Sequence, residues 1–202
     1  MTTYGLDLDK LVAENKVPAS GSNRHLHLSA ADLETLFGKG YQLNKLKDLS
    51  QPGQFAAKEC VKIVSEKGEK DSIRILGPVR GKTQIELLAS DCHSLGLKVF
   101  VRDSGDIAGT PGVEVIGPAG KISIGEGAIV AARHIHMHTK EAKAFGYKDK
   151  DRVSVRFDGP RSATMHNVLI RVHDEYALDL HIDLDEMNAC DVKNGDLAQI
   201  IR

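Results

Sequence analysis

Histidines occur twice in this sequence within the same short pattern. Arg24-His25-Leu26-His27-Leu28 is repeated, 109 residues later, as Arg133-His134-Ile135-His136-Met137. In an extended strand, side chains at positions i and i+2 point to the same face. Each copy would therefore present two imidazoles on one side of a strand and apolar side chains on the other. Two imidazoles are part of the ligand set that zinc needs, so each copy predicts half of a metal site.

Each pair of histidines needs at least one further ligand from elsewhere in the chain. Glu86 is a candidate for the first pair, because it faces away from the apolar residues of its predicted strand. His181 is a candidate for the second pair, on a strand-like segment of its own. Both sets would leave coordination positions open, as catalytic zinc sites do. The residue types leave other third ligands open: Asp91, His93, His166, His173 and Asp183.

A single HxH pair on a strand more often consists of solvent-facing or hydrogen-bonded histidines than of metal ligands. Two copies, each preceded by arginine and followed by a predicted helix, favour the metal sites instead. His138 continues the i+2 series of the second copy, but it falls where the strand should turn into a helix. We therefore leave His138 out of the predicted ligand set.

Two segments suggest a site for an anion. The turn from Gly77 to Thr83 contains Arg80, whose planar guanidinium suits an oxyanion such as phosphate. The alternative is an arginine in an ordinary surface turn. The glycine-rich stretch from Ser104 to Gly112 could offer backbone N–H groups to an anion, which is weak evidence when taken alone.

The elements that carry these residues are predicted from pattern. Ser29 is expected to cap a helix, and Thr139 to cap a second helix over Lys140 to Phe145, with Gly146 at its C-terminal cap. Two strand-then-helix units indicate an internal duplication. Many short alternating runs bounded by turn residues, with few helices, favour β-barrels or sandwiches over a βαβ sheet. Met1 to Lys16 predicts a short amphipathic helix, either docked on the domain or acting as a partner-binding tag.

The composition excludes several classes of function. With 27 basic and 28 acidic residues the net charge is -1, which does not suit a nucleic-acid backbone. The longest apolar runs, such as Gly127 to Ala132, are far shorter than a membrane span, and no basic-then-apolar leader opens the chain. Three scattered cysteines, Cys60, Cys92 and Cys190, argue against a disulfide framework. We expect a cytoplasmic protein without membrane or nucleic-acid partners.

These motifs together resemble the microcompartment-type phosphate propanoyltransferases, a family of phosphotransacylases. The resemblance extends from about Val17 to the C-terminus, and its motifs stand in the order of the family. The segments that carry it are Asn23–Ser29, Gly77–Arg80 with Thr83–Glu86, Ser104–Asp106, Arg133–Met137, and His181–Asp183 with Asp185, Glu186 and Asn188.

The resemblance implies a mainly β fold with short helices, built as two β-barrel domains capped by helices. We expect an N-terminal extension over residues 1–20, a first half over 21–126 and a second half over 127–202, with strands open to exchange between the halves. The reaction implied is the transfer of a propanoyl or similar short acyl group between coenzyme A and phosphate. Acyl-coenzyme A and phosphate are then the substrates, and two zinc ions, or other divalent transition metals, are the cofactors.

The resemblance also implies roles for individual residues. His25, His27 and Glu86 would bind the metal that meets the coenzyme A sulfur. The second metal, where water or phosphate binds, would be held by His134, His136 and His181. Arg80 would be the catalytic arginine that contacts phosphate, with Ser104 beside it. The carboxylate-bearing set is expected to suit sulfur, and the all-histidine set, with less anionic charge around it, to suit phosphate.

Further partners and rival functions follow from the same residues. A homo-oligomer is one candidate assembly. A bacterial microcompartment shell, as in propanediol degradation, is a candidate partner of the N-terminal helix, although this extension is short for the helical tag of encapsulated relatives. The first rival function is a dinuclear metal-dependent hydrolase, which would need activated water but no coenzyme A. The second is a non-catalytic assembly module that metal ions stabilise.

Overall fold

The structure is a computed structural model that describes residues 4–201 of the 202-residue chain. Five short helices and fifteen strands lie in that range. The helices are α1 (Leu8–Glu14), α2 (Ala30–Phe37), α3 (Ala89–Leu95), α4 (Thr139–Phe145) and α5 (Leu184–Cys190). The strands are β1 (Lys16–Ser22), β2 (His25–His27), β3 (Lys45–Asp48), β4 (Phe55–Val64), β5 (Glu69–Gly77), β6 (Gln84–Glu86), β7 (Val101–Arg102), β8 (Val113–Ile116), β9 (Lys121–Ile124), β10 (Ala128–Ala131), β11 (His134–Met137), β12 (Arg152–Phe157), β13 (Ala163–Val172), β14 (Asp179–Asp183) and β15 (Leu197–Ile201). No helix in residues 4–201 is long and apolar enough to cross a bilayer.

The chain forms two compact units. Unit 1 contains the residues up to Ser22, the segment Ser50–Pro52 and the residues from Ala132 onward; unit 2 contains Asn23–Leu49 and Gly53–Ala131. Strand β1 thus belongs to the same unit as the C-terminal part of the chain. The domain boundaries expected from the sequence, after residues 20 and 126, stay a prediction.

Unit 1 is built on a closed six-stranded barrel with the strand order β1-β14-β11-β13-β12-β15, in which β15 pairs back to β1. Alternation along the strands turns apolar side chains into its core. Ile135, Val155, Ile170 and Leu180 are completely buried there. The barrel is the unit that carries the second histidine pair.

Unit 2 is a nine-stranded curled sheet in the order β7-β10-β6-β2-β5-β4-β8-β9, with β3 paired to β4. Its core contains Leu26, Ile63, Ile75 and Ile85, all completely buried. The predicted fold class is therefore confirmed: the protein is mainly β, with short helices and two barrel-like domains. Strand β2 carries the first histidine pair.

The helices that follow the two histidine pairs begin at equivalent places. The hydroxyl of Ser29 accepts a hydrogen bond from the backbone N–H of Asp32, which confirms it as the cap of α2. The prediction of Thr139 as a cap is wrong by one residue. His138 is the cap of α4, since its Nδ1 accepts from the N–H of Lys140 at 3.0 Å, so the backbone group that needed a partner is served by a ring nitrogen. Gly146 has the predicted positive φ, 72°.

The N-terminal helix packs on the core of unit 1. Leu11 is only 3% exposed and belongs to that core, while Leu6, Leu8 and Val12 are partly buried against it. The side chain of Asp7 accepts hydrogen bonds from the first backbone N–H groups of α1. The apolar side of this short helix is thus used within the unit. Residues 1–3 of the predicted helix lie outside the described residues.

We predict that Leu11→Ala lowers the free energy of unfolding by about 2–4 kcal/mol, because it removes buried methyl groups and leaves a cavity. Urea unfolding followed by circular dichroism measures the change. Leu46→Ala is the matched control, since Leu46 is 51% exposed and the same change there should cost less than about 0.5 kcal/mol. Equal effects of the two substitutions would contradict the docking of α1.

Candidate metal centres

The first histidine pair lies opposite the strand that carries Glu86. In the antiparallel register of β2 and β6, His25 faces Glu86 and His27 faces Gln84. Residues directly opposite in such a pair have their side chains on the same side of the sheet. His25 Nε2 lies 3.5 Å from one carboxylate oxygen of Glu86, and His27 Nε2 lies 3.9 Å from the other. The structure thus brings the three predicted ligands of the first set together.

The second pair repeats this arrangement in unit 1. In the antiparallel register of β11 and β14, His134 faces His181 and His136 faces Asp179. The centroids of the three imidazole rings lie 4.6–5.1 Å apart. In each cluster, one ligand atom per residue lies within 4.8 Å of the others. Two ligands of a tetrahedral zinc ion at about 2.1 Å would lie roughly 3.4 Å apart, so modest side-chain shifts suffice.

Backbone carbonyls orient the first histidine of each pair in the same way. Nδ1 of His25 lies 2.8 Å from the carbonyl oxygen of Asn23, and Nδ1 of His134 lies 2.8 Å from that of Ala132. A carbonyl can only accept, so this geometry assigns the ring proton to Nδ1. The lone pair is then on Nε2, the nitrogen that a metal would use.

An arginine braces each histidine pair against the helix that follows the third ligand. Arg24 Nε lies 2.6 Å from Asp91 in α3, and Arg133 Nε lies 2.8 Å from Glu186 in α5. Each acid stands five residues after the third ligand of its cluster and in the capping box of its helix. An equivalent arginine–carboxylate ion pair thus occurs in both units. The structural repeat therefore includes residues outside the repeated sequence motif.

Electrostatics hold the buried ligands in the protonation states that bind metals. Burial lowers the pKa of His27 to about 3, with the charges of His25 and Arg80 acting in the same direction. Burial also lowers the pKa of His136, helped by His134, His181 and Arg171. For Glu86, burial raises the pKa, but His25, His27, Ser104 and Arg80 outweigh it and lower the value to about 2. At neutral pH these are neutral imidazoles and a carboxylate.

Both clusters fit a zinc ion. Among the described residues, Nδ1 of His27 and Nδ1 of His136 are buried without a hydrogen-bond partner. Buried polar atoms of this kind are rare, and a bound ion is one of the few features that account for them. A cation bound to these imidazoles would compensate part of their burial. Two histidines with a carboxylate, and three histidines, are both ligand sets of catalytic zinc.

The predicted phosphate residues lie beside the first cluster. Arg80 Nη1 donates to the hydroxyl of Ser104 at 3.3 Å, and Ser104 donates to Glu86 Oε1 at 2.9 Å. Gln84, which is buried, donates to the same Glu86 oxygen at 2.6 Å and to Ser104 at 2.9 Å. Gln84 was not among the site residues predicted from the sequence. Its signal is the spacing Gln84-Ile85-Glu86, the same i and i+2 relation that identified the histidines.

A family model described as phosphate propanoyltransferase matches residues 18–193 of this chain. The chain belongs to the phosphate propanoyltransferase family. A protein of Thermotoga maritima with that name is 52% identical over 181 residues, which cover 89% of this chain and 86% of the relative. A protein of the same name from Sebaldella termitidis is 44% identical over 208 residues and covers 98% of both chains. The resemblance stated from the motifs is confirmed, and the chain is an acyltransferase.

Two backbone N–H groups of the glycine-rich loop donate to side chains of the protein. Gly105 N donates to the side-chain oxygen of Gln84 at 2.7 Å, and Gly109 N donates to Glu126 at 2.9 Å. These two groups are thus engaged, which leaves Arg80 as the stronger of the two sequence-based signals for an anion.

The other candidate third ligands have separate roles within residues 4–201, and none of them belongs to either cluster. Asp91 pairs with Arg24, and Asp183 caps α5. His166 contacts the hydroxyl of Ser154. His93 lies in α3 and His173 accepts from the N–H of Glu175.

The lowered pKa of His27 predicts a pH dependence of the metal-free protein. The unfolded chain takes up a proton below about pH 6.5, whereas folded His27 does so only near pH 3. Stability is therefore fully present above pH 6.5 and falls as the pH drops through this window, by roughly 1.5 kcal/mol for this group between pH 6.5 and 5. Urea unfolding in chelator at the two pH values should show a smaller loss for His27→Gln than for the wild type. An identical loss would contradict a neutral, buried His27.

The contacts of Gln84 predict a role in holding Glu86. Gln84→Leu should weaken zinc binding at the first cluster about 10–100-fold, because Oε1 of Glu86 loses a hydrogen bond that orients the carboxylate. Competition with a zinc chelator measures the affinity. Gln42→Leu is the control, since Gln42 is exposed. Unchanged zinc affinity in a folded Gln84→Leu protein would refute this role.

Proposed function

We propose that the protein is a phosphate acyltransferase that interconverts acyl-coenzyme A and phosphate with acyl phosphate and coenzyme A. Its acyl group is propanoyl or a similar short chain, as the names of the relatives suggest. The observation that carries the proposal is an arginine, Arg80, tied through Ser104 to the buried cluster of His25, His27 and Glu86. A cationic anion-binding group beside a metal-ligand set suits transfer to phosphate.

We assign each cluster one zinc ion. His25, His27 and Glu86 would hold the first, and His134, His136 and His181 the second; other divalent transition metals suit the same ligands. When bound, the ions supply Lewis-acid activation of the thioester carbonyl and a soft partner for the departing thiolate. That both ions serve one reaction is part of the proposal and rests on the family resemblance.

Arg80 is the residue that would bind and orient phosphate. Its guanidinium offers a planar set of donors, and Ser104 holds one of its nitrogens. One phosphate oxygen then forms a bond to the acyl carbon, and the carbon–sulfur bond breaks with its electron pair on sulfur. The products are acyl phosphate and the coenzyme A thiolate. The contribution of Arg80 is proximity and charge stabilisation.

The cysteines support direct attack by phosphate over a covalent acyl-enzyme. Burial raises the pKa of Cys92 to about 11, with the charge of Asp91 acting in the same direction, and burial also raises the pKa of Cys190. Both thiols therefore stay protonated and unreactive at neutral pH. Cys60 is half-buried on β4, in neither histidine cluster.

We propose that α1 serves the stability of unit 1 more than it serves as a microcompartment tag. Its apolar residues already pack on the core, and its exposed positions include Asp9, Lys10 and Glu14. A shell protein would have to bind this charged side. Encapsulation and a homo-oligomer stay proposals that a partner screen would address.

The proposed function predicts that release of coenzyme A from propanoyl-coenzyme A depends on phosphate. In the zinc-loaded protein, thiol release measured with a chromogenic reagent should match acyl phosphate trapped as hydroxamate.

His27→Ala and His136→Ala should each lose one zinc per chain and nearly all activity. Arg80→Ala should keep both ions and raise the KM for phosphate about 10–100-fold, since it removes a charged hydrogen bond.

Arg152→Ala is the control for Arg80→Ala, because Arg152 is an exposed arginine in neither cluster. Thiol release that ignores phosphate would favour the hydrolase. Absence of turnover with every acyl chain, together with unfolding on metal removal, would favour the assembly module. A stable acyl group on any cysteine would exclude direct attack.

A further inference from the structure

Each unit has a polar residue two positions before the predicted third ligand of its cluster, and these two residues occupy equivalent positions. Gln84 precedes Glu86 in β6 and faces His27; Asp179 precedes His181 in β14 and faces His136. Both contact the third ligand of their own cluster: Gln84 Nε2 lies 2.6 Å from Glu86 Oε1, and Asp179 Oδ2 lies 3.0 Å from His181 Nε2. The chemistry is exchanged between the two strands. In β6 the carboxylate belongs to the predicted third ligand, Glu86. In β14 the carboxylate of Asp179 contacts the predicted third ligand, His181.

Each four-residue set therefore contains one carboxylate. The first has two histidines, the amide of Gln84 and the carboxylate of Glu86. The second has two histidines, the carboxylate of Asp179 and the imidazole of His181. Asp179 is not among the residues whose ligand atoms lie within 4.8 Å of one another, so it sits outside the direct ligand set.

Asp179 is buried in a way that its protein neighbours do not fully compensate. It has no exposed surface, and its Oδ2 accepts from Ser20 Oγ at 2.7 Å as well as from His181. Its other oxygen, Oδ1, has no hydrogen-bond partner among the described residues. Within residues 4–201 its ion-pair contact is with His181 alone. A buried carboxylate without a cation is costly, so a metal on the adjacent imidazoles would supply the missing charge.

We infer that Asp179 is a positioning residue of the second metal site, where it holds His181 and supplies the negative charge that Glu86 supplies to the first. This inference rests on the proposed function, because it requires a metal at His134, His136 and His181. A carboxylate can only accept, so its contact places the proton of His181 on Nε2 and the lone pair on Nδ1. The hydroxyl of Ser50, 3.2 Å from the same Nε2, is then an acceptor as well.

The exchange of chemistry between the strands also predicts a rescue. Asp179→Gln removes the charge and replaces a group that only accepts with an amide that can either donate or accept, so the contact no longer fixes the His181 tautomer. Adding His181→Glu recreates the pattern of the first cluster, an amide two residues before a glutamate. The double variant should therefore recover metal affinity that the single variant loses.

Zinc affinity of the second cluster tests the inference directly. The full chain carrying His27→Ala isolates this site, and competition with a chelator gives the affinity while cobalt(II) absorption reports the ligand geometry. Asp179→Asn and Asp179→Gln should each weaken zinc binding about 10–100-fold and shift the cobalt spectrum. The metal-free Asp179→Asn protein should melt at the same or a higher temperature than its parent, because it no longer buries an uncompensated charge. Glu59→Gln, at a buried carboxylate in neither cluster, is the control and should leave zinc affinity unchanged.

Three results would overturn the inference alone: unchanged zinc affinity in Asp179→Asn, a metal-free Asp179→Asn protein that melts below its parent, or no recovery in a folded Asp179→Gln/His181→Glu protein. Loss of one oxygen neighbour from the zinc X-ray absorption spectrum of Asp179→Asn would also overturn it, because Asp179 would then be a ligand. A parent protein that binds no zinc at this cluster would overturn the inference together with the metal part of the proposed function.

Discussion

The antiparallel register between each histidine strand and the strand of its third ligand is the constraint on which both candidate metal centres depend. On one face of each strand pair lie the polar residues, and on the other lie apolar partners: Leu26 opposite Ile85, and Ile135 opposite Leu180. All four apolar residues are completely buried. A slip of one residue would turn these side chains out of the core and the histidines into it. The hydrophobic cores therefore fix the geometry of the two clusters.

Polar contacts then orient the histidine side chains and hold the strands that carry them. The carbonyl groups of Asn23 and Ala132 fix one imidazole in each cluster, and the ion pairs of Arg24 and Arg133 tie each histidine strand to a helix. Asp91 is buried and Glu186 is half-buried, which gives these ion pairs a more defined geometry than a fully exposed pair has. Because the helix in question directly follows the third-ligand strand, each brace joins the two strands that must keep their register.

Much of this site could be predicted from local pattern. The alternation of His25 and His27, and of His134 and His136, places both rings on one face whatever the rest of the fold does. The third ligands depend on which strands pair, and strand pairing is set by packing over long distances. Seven residues were therefore open as third ligands, and the family resemblance, more than the residue types, selected Glu86 and His181.

One error and two omissions show where local pattern fails. Thr139 was predicted to cap α4, yet the ring of the preceding residue, His138, is the cap, because a ring nitrogen can replace the usual hydroxyl oxygen. Gln84 and Asp179 were not among the site residues predicted from the sequence. Their importance becomes visible only when the register places them opposite His27 and His136.

The two clusters differ less in charge than the ligand types alone indicate, because Asp179 lies beside the second cluster. The all-histidine set was expected to have less anionic charge around it, but a buried carboxylate contacts His181 at 3.0 Å. When Asp179 is counted with the second cluster, each cluster has one carboxylate. Net charge therefore does not distinguish a site for sulfur from a site for phosphate. What differs is where the charge lies: on the proposed ligand Glu86 in unit 2, and on a neighbour of the proposed ligand His181 in unit 1. A carboxylate in direct contact reduces the Lewis acidity of a metal more than one acting through a ring. In the proposed reaction, a division of labour between the two sites would therefore rest on ligand type and on Arg80, which lies beside the first cluster.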